Sequence, residues 1–465
     1  MNLPEDTIAA VSTPPGEGGI GIVRLSGKDS FRIYRKIFQP SGGEQRHRDV
    51  SRTIMHGFIV DPATTEKIDE VLVTFMKSPR SYTREDVTEI NCHGGMVPLR
   101  RILNLALREG ARLAEPGEFT RRAFLNGRID LSQAEAVIDV IRAKTEQAEK
   151  TAFSQLEGGL SSEITRIRET VFELCALVEA YIDFPEEDLD LPEKDRMLSS
   201  IKGAESRIKT LLRSFEEGRI YREGAAMAII GKPNVGKSSL MNALIQKDRA
   251  IITDLPGTTR DIIEEGLNIG GLPVRIMDTA GIREAHDLAE AEGVRRSIGA
   301  MEGADIVLAV FDAAKPLDYS DRLIFEKVRN KKAISVLNKC DILSPDFDCN
   351  DTELNRHICV KISAKKGEGL DILKERIFDT LVSSAGTAAR ERSADILVTN
   401  VRHKQLLDRA LESLAQACSV TEKGDQPEVA ALFLREALDS LGEIIGAVTT
   451  EDILDRIFSD FCIGK

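Results

Sequence analysis

No two of the seven cysteines stand as a C-x-x-C pair, which argues against a zinc ribbon and against a disulfide framework. No apolar run is long enough to span a bilayer, so no membrane association is expected. The N-terminal Met1-Asn2-Leu3-Pro4-Glu5-Asp6 lacks the basic-then-apolar pattern of a secretory signal, and the expected compartment is the cytoplasm. Positive charge is also in short supply. The net charge is −13 and the pI about 5.2, the opposite of a chain that coats itself in nucleic acid. Any RNA contact is therefore expected to be local or shared with a partner. The glycine-rich run Pro14-Pro15-Gly16-Glu17-Gly18-Gly19 is not G-x-G-x-x-G opening a helix. It reads as a hairpin lead-in rather than a dinucleotide site.

With 465 residues the chain is too long for one core. Its centre is Gly231-Lys232-Pro233-Asn234-Val235-Gly236-Lys237-Ser238, which reads G-x-x-x-x-G-K-S. The apolar Ala226–Ile230 before it suits a buried parallel strand, and Ser239–Leu244 after it suits the first turns of a helix. Backbone N–H groups in such a loop cradle phosphates. Lys237 then reaches the β/γ-phosphates, and Ser238 is placed to ligate Mg²⁺.

Around this loop, residues 1–120 read as mixed α/β, with strands at Ile20–Leu25 and Val71–Phe75 and a helix from Leu99 to Leu107. Residues 121–220 are helical, opening on a capping box at Ser132-Gln133-Ala134-Glu135. Leu131, Ala134, Val137, Ile138 and Ile141 follow at helical spacing. Residues 221–382 alternate strand and helix, the pattern of a doubly wound sheet. Residues 383–465 are helical again, with Val429, Leu432, Phe433, Leu438 and Leu441 assigned to one face. The expected architecture is multidomain, α/β plus α. The two helical pieces form one discontinuous bundle, and the phosphate-loop domain is inserted in it.

Other residues name the base. Asn338-Lys339-Cys340-Asp341 fits N-K-x-D, and Asp341 can accept from both the N1–H and the 2-amino group of guanine. Adenine offers no such pair. Lys339 can lay its stem along the base, and Ser363-Ala364 can present a backbone N–H to guanine O6. Asp278-Thr279-Ala280-Gly281 ends another strand: Asp278 holds Mg²⁺ through water, and the Gly281 N–H faces the γ-phosphate. Thr259 is a second Mg²⁺ ligand. Together these make a GTPase. Ile282 occupies the place after D-T-A-G where many Ras-like GTPases carry a water-orienting Gln, and neither Arg260 nor Arg283 is an obvious arginine finger. Asn234 could instead hold a monovalent cation against the phosphates.

These motifs join Gly257-Thr258-Thr259-Arg260-Asp261, His93-Gly94-Gly95, Pro116–Thr120, Arg122–Gly127 and the terminal Phe461-Cys462-Ile463-Gly464-Lys465. Together they resemble the MnmE (TrmE) family of tRNA-modification GTPases along the whole chain. The resemblance implies an N-terminal domain that binds folate and dimerises, a discontinuous helical domain and an inserted G domain. It implies a homodimer, K⁺-stimulated hydrolysis as the G domains meet, and a heterotetramer with the FAD-bearing MnmG. Together these would form 5-aminomethyl or 5-carboxymethylaminomethyl uridine at the tRNA wobble position, with 5-formyl- or methylene-tetrahydrofolate supplying one carbon.

Carried over residue by residue, the resemblance implies nucleotide contacts from Asn234, Val235, Gly236, Lys237, Ser238 and Ser239. It adds Thr253, Asp254, Leu255, Pro256, Gly257, Thr258 and Thr259, then Asp278, Thr279, Ala280 and Gly281, and finally Asn338, Lys339, Asp341, Ser363 and Ala364. Asn234, Thr258 and the backbone of Thr253 and Leu255 would coordinate K⁺. Glu290 would orient the attacking water; by itself it reads as an exposed carboxylate at a helix start. Arg24, Glu89, Arg128 and Lys465 match the folate positions, although Glu89 alone reads as a solvent-facing strand residue. Cys462 lies four residues from the end but does not fit a prenylation box. Alone it reads as a buried small hydrophobe; the resemblance puts it near the modification step. The rivals are an Era-type ribosome-assembly GTPase and a GTP-gated assembly switch without modification chemistry.

Overall fold

The structure, a computed structural model, describes residues 6–41, 51–183, 194–248, 266–277, 301–344, 347, 351–382, 396–424 and 427–465. These residues form two compact units. The described part of the first lies in Met1–Ile138 and Ile445–Lys465, that of the second in Asp139–Thr253 and Arg260–Ile444. Among the described residues, no helix is long and apolar enough to cross a membrane.

The first unit is built on a seven-stranded sheet. Its strands are β1 (Ile8–Val11), β2 (Gly18–Ser26), β3 (Phe38–Pro40), β4 (Ile54–Val60), β5 (Lys67–Met76), β6 (Val87–Gly94) and β7 (Arg112–Leu113). They lie in the order β3-β4-β5-β6-β2-β1-β7, antiparallel throughout except between β1 and β7. β1 and β2 form a hairpin, so residues 14–17 lie in the connection that the turn residues predict, while Gly18 and Gly19 begin β2. Along β2 the side chains alternate. Val23 and Leu25 are buried with residues of the helices Ser30–Ile37 and Met96–Arg108. Each such fully buried side chain contributes about 1.5–3 kcal/mol. The same alternation puts Arg24 on the other face, and the β2/β6 register sets it directly opposite Glu89.

The C-terminus returns to this unit. The helix Glu451–Ser459 packs on the helix Glu118–Leu125, and Leu454, Phe458 and Phe461 share a core with Leu131, Ala134 and Ile138. Ile463 then bridges to Pro116. At Gly464 φ is +100°, and an added Cβ would overlap the Val11 carbonyl, so only glycine brings the chain end this close to β1. A buried ion cluster holds the helix Glu118–Leu125 in place. Arg122 pairs with Asp6, Glu85 and Glu118, while Arg112 pairs with Asp6 and Glu118. Burial raises the pKa of Glu118, but hydrogen bonds from Arg112, the Glu115 backbone and Arg122 outweigh it and leave the carboxyl below its ordinary value.

The capping box lies two residues earlier than the sequence reading places it. The Asp130 carboxylate accepts from the Gln133 backbone N–H at 2.9 Å, and the Gln133 carboxamide accepts from the Asp130 N–H at 3.0 Å. Ser132 is buried in the first turn, its hydroxyl donating to Asp130 Oδ1. A carboxylate caps a helix as well as a hydroxyl does, and here the carboxylate takes the place.

The second unit carries a six-stranded sheet. Its strands are β8 (Ala225–Ile230), β9 (Gly266–Ile269), β10 (Leu272–Ile276), β11 (Ile306–Asp312), β12 (Ala333–Asn338) and β13 (Ile358–Lys361). The order is β13-β12-β11-β8-β10-β9, parallel except for the β9 edge. This is the doubly wound pattern expected from the alternation of elements. Long helices accompany the sheet at Gly159–Asp183, Lys194–Arg213, Val401–Lys423 and Pro427–Ile445. The chain leaves them through Phe215–Glu223 and returns at Leu397–Thr399, and these passages touch: the Val398 N–H donates to Ser214 Oγ at 3.0 Å. Gln155 fastens the return by donating to the Leu397 carbonyl at 2.7 Å. On the helix Pro427–Ile445 the buried face is Ala430, Ala431, Leu434, Ala437 and Leu441. Val429 and Leu432 are exposed, as is Ile141 on the helix Leu131–Arg142. The buried face is therefore offset from the one that the larger apolar side chains suggest.

Candidate functional site

β8 is buried along its whole length, as a central parallel strand must be, and it delivers the chain into Gly231–Ser238. The loop is tightly wound. Asn234 and Gly236 have φ of +62° and +98°, and a Cβ on Gly236 would overlap the Asn338 amide nitrogen. The helix Lys237–Asp248 begins inside the motif, so its first N–H groups face the loop. The Lys237 ammonium donates to the Gly231 and Lys232 carbonyls, each at 2.8 Å. Burial lowers its pKa. A half-buried cation that, among the described residues, meets only carbonyls suits an anionic oxygen as its further partner.

Asn338 ends β12 and is buried. Its side-chain nitrogen donates to the Val235 carbonyl at 2.8 Å, and its Oδ1 accepts from the Ala364 N–H at 3.0 Å. One side chain thus ties the phosphate loop to the segment after β13. Lys339, in the left-handed region at φ +66°, donates to the Asn234 carbonyl at 2.8 Å and pairs with Asp312 at 2.7 Å. The Ser363 hydroxyl donates to the Asp341 carboxylate and holds it below the usual carboxylate range. The structure therefore gathers Asn234 to Ser239, Asn338, Lys339, Asp341, Ser363 and Ala364 around one cleft. Thr253, Asp254, Leu255, Pro256, Gly257, Thr258 and Thr259 lie outside the described residues, as do Asp278, Thr279, Ala280, Gly281, Ile282 and Glu290.

A second cluster forms in the first unit. Arg24 Nε meets Glu89 Oε1 at 2.8 Å, and Arg24 Nη1 donates to the Gly464 carbonyl at 3.2 Å. The Ser12 hydroxyl donates to the same carbonyl at 3.0 Å. Lys465 is half-buried; burial and then the Arg24 charge push its pKa down. Arg24 lies 5.8 Å from the centre of the Tyr82 ring, and Arg128 lies 4.7 Å from the same ring. Arg24, Glu89 and the chain end thus converge directly, and Arg128 joins them through Tyr82. Cys462 is exposed rather than a buried filler; its carbonyl accepts from the Gly117 N–H at 3.4 Å. Sequence reasoning missed Tyr82, Ser12, Gly464 and Asp312. Only Asp312 carried a signal, as a carboxylate at the end of a predicted strand.

The chain is similar to known proteins along its length. A family profile described as "GTP-binding protein TrmE N-terminus" matches residues 7–128, and one described as "MnmE helical domain" matches residues 131–462. A tRNA modification GTPase MnmE from Geobacter sulfurreducens is 50% identical over 99% of both chains. Another from Alkaliphilus oremlandii is 46% identical over the same shares. Among solved structures, an Era from Aquifex aeolicus bound to GDP and AlF₄⁻ is 27% identical, covering 41% of this chain and 66% of that one at a TM-score of 0.25.

Proposed function

The chain belongs to the MnmE family of tRNA modification GTPases, and on that premise we propose that it couples GTP hydrolysis to carbon transfer onto a tRNA wobble uridine. The product is a 5-aminomethyl or 5-carboxymethylaminomethyl uridine, made with MnmG, which brings FAD. In this reading, residues 1–120 bind tetrahydrofolate and dimerise. Residues 121–220 and 383–465 form the helical domain, and 221–382 the G domain. The observation that carries it is the meeting of Arg24 and Glu89 with Gly464, which lies 440 residues from Arg24 in sequence. A cleft for nucleotide hydrolysis alone has no use for such a cluster.

Glu89 fits one edge of a pterin. The ion pair uses Oε1, and among the described residues Oε2 has no protein partner, so it can accept from the ring's amino and N–H groups. Arg128 and Lys465 would pair with the carboxylates of the glutamate tail. Bound one-carbon tetrahydrofolate would supply the carbon; the residues named here bind and orient it. The reading is tested by titrating the full chain with 5-formyltetrahydrofolate. Saturable binding is expected, weakened by Glu89→Gln about tenfold or more, as befits a charge-assisted hydrogen bond. No saturable binding to the unaltered protein would remove the modification reading.

In the G domain, Ser238 and Thr259 would hold Mg²⁺, with Asp278 acting through water. Asn234, Thr258 and the backbone oxygens of Thr253 and Leu255 would hold K⁺, which supplies positive charge where other GTPases use an arginine finger. Asn234 suits this role, since its left-handed backbone turns it out of the loop while Lys339 binds its carbonyl. Glu290 would orient the attacking water. Replacing K⁺ with Na⁺ is expected to slow GTP turnover by more than about tenfold. Equal rates in the two salts would remove the cation role of Asn234.

A further inference from the structure

A cavity of about 760 Å³ opens beside the Arg24–Glu89 cluster, within the size range of small-molecule sites. Arg52, Arg80, Arg84 and Arg128 line it, together with Tyr82. The lining contains no carboxylate. Among the described residues, these four form no ion pair. Three of them donate to backbone carbonyls instead. Arg52 donates to the Arg80 carbonyl at 3.0 Å, Arg84 to that of Asn126 at 2.9 Å, and Arg128 to that of Tyr82 at 3.2 Å. A guanidinium has five N–H donors, so most of each fork remains available.

The backbone gives an independent sign. Among the described residues, five that are not glycine adopt a left-handed φ: Arg52, Thr65, Arg84, Asn234 and Lys339. Two of the five belong to the nucleotide cleft and two line this cavity. Left-handed backbone at a bulky residue is costly, and it clusters where a binding site demands it.

We propose that this cavity is a subsite for the anionic tail of a polyglutamylated folate, whose γ-linked glutamates carry one carboxylate each. The inference rests on the folate reading of the adjacent cluster and extends it. Tyr82 joins the two places, with Arg24 5.8 Å and Arg128 4.7 Å from the centre of its ring. A folate whose ring meets Glu89 leads its tail past Tyr82 to the arginines. Each added carboxylate then meets a planar fork shaped for it. An RNA backbone is also a polyanion. Tyr82, which lines the pocket and also lies within reach of Arg24, favours a small ligand that spans both places.

The test compares 5-formyltetrahydrofolate carrying one glutamate with the same compound carrying five, titrated calorimetrically into the full chain. The pentaglutamate is expected to bind at least about tenfold more tightly, with the advantage shrinking as salt rises. Arg80→Gln is the main variant, because the Arg80 side chain makes no hydrogen bond or ion pair among the described residues and its loss does not disturb the fold. It should bring the ratio of the two affinities toward one, and Arg52→Gln should do the same. Equal binding of the two ligands to the unaltered protein would overturn the subsite and leave the folate reading intact. Failure of both ligands to bind would overturn both. An unchanged ratio in both variants would place the tail elsewhere. If those variants instead weakened tRNA binding, the cavity would be an RNA contact and the inference would fall.

Discussion

Asp341→Asn is expected to lower the affinity for GTP by about two to three orders of magnitude and to raise that for xanthosine triphosphate by a similar factor. Guanine presents two donors on one edge, N1–H and the 2-amino group, and a carboxylate accepts both. Xanthine keeps the N1–H but has a carbonyl oxygen at C2. A carboxamide answers that edge, its oxygen accepting from N1–H and its nitrogen donating to the carbonyl. The swap changes one atom and removes one charge. The position of residue 341 is held from both sides: Ser363 donates to the carboxylate, and Asn338, three residues earlier, is fixed by Val235 and Ala364. The new carboxamide therefore enters a frame that is already built. Competition binding with both nucleotides provides the measurement. Undiminished GTP affinity in the variant would show that Asp341 does not touch the base.

Lys237→Met is expected to reduce kcat/KM for GTP by about three orders of magnitude. The ammonium is the half-buried positive charge of the phosphate loop, and it sits against the Gly231 and Lys232 carbonyls. Charge on the β/γ-bridge and γ-oxygens grows toward the transition state, so a fixed cation there stabilises the transition state more than the ground state. Methionine keeps the length and apolar stem of lysine, which separates loss of charge from loss of packing. Single-turnover hydrolysis with nucleotide at saturation gives the chemical step directly. A variant that loses affinity but keeps the single-turnover rate would confine Lys237 to ground-state binding. Lys237→Arg should not rescue the rate, because the planar guanidinium cannot occupy the compact position between two carbonyls.

The nucleotide cleft was readable because its parts are local. The strand before the loop, the two glycines, the helix after it and N-K-x-D each occupy a few consecutive residues, and their chemistry follows from short-range geometry. What could not be read was the side chain that joins them. Asn338 appears in sequence only as the first letter of N-K-x-D, yet it is the tie between the phosphate loop and the Ser363–Ala364 segment. The capping box failed for a different reason. Asp130 and Ser132 are both good caps, and only the packed start of the helix decides between them. The face of the helix Pro427–Ile445 was misread because large apolar residues were given more weight than alanines, whereas the buried stripe runs through Ala430, Ala431, Leu434, Ala437 and Leu441.

The Arg24–Glu89 cluster lies at the other limit. Its residues are drawn from positions 24, 89 and 464, and nothing near any of them indicates the others. An antiparallel register set Arg24 opposite Glu89, and a shift of one residue would have turned Glu89 to the core face. A glycine with positive φ allowed the chain end to close against β1. The amino-acid sequence alone determined the phosphate loop, the N-K-x-D motif and the alternation that builds the sheet around them, because those depend on residues within a turn or a strand of one another. Family resemblance grouped Arg24, Glu89, Arg128 and Lys465, but the tertiary structure alone decided how they meet, the arginine-lined neighbour and the tie through Asn338, because contacts between distant segments depend on strand register and on where the chain returns.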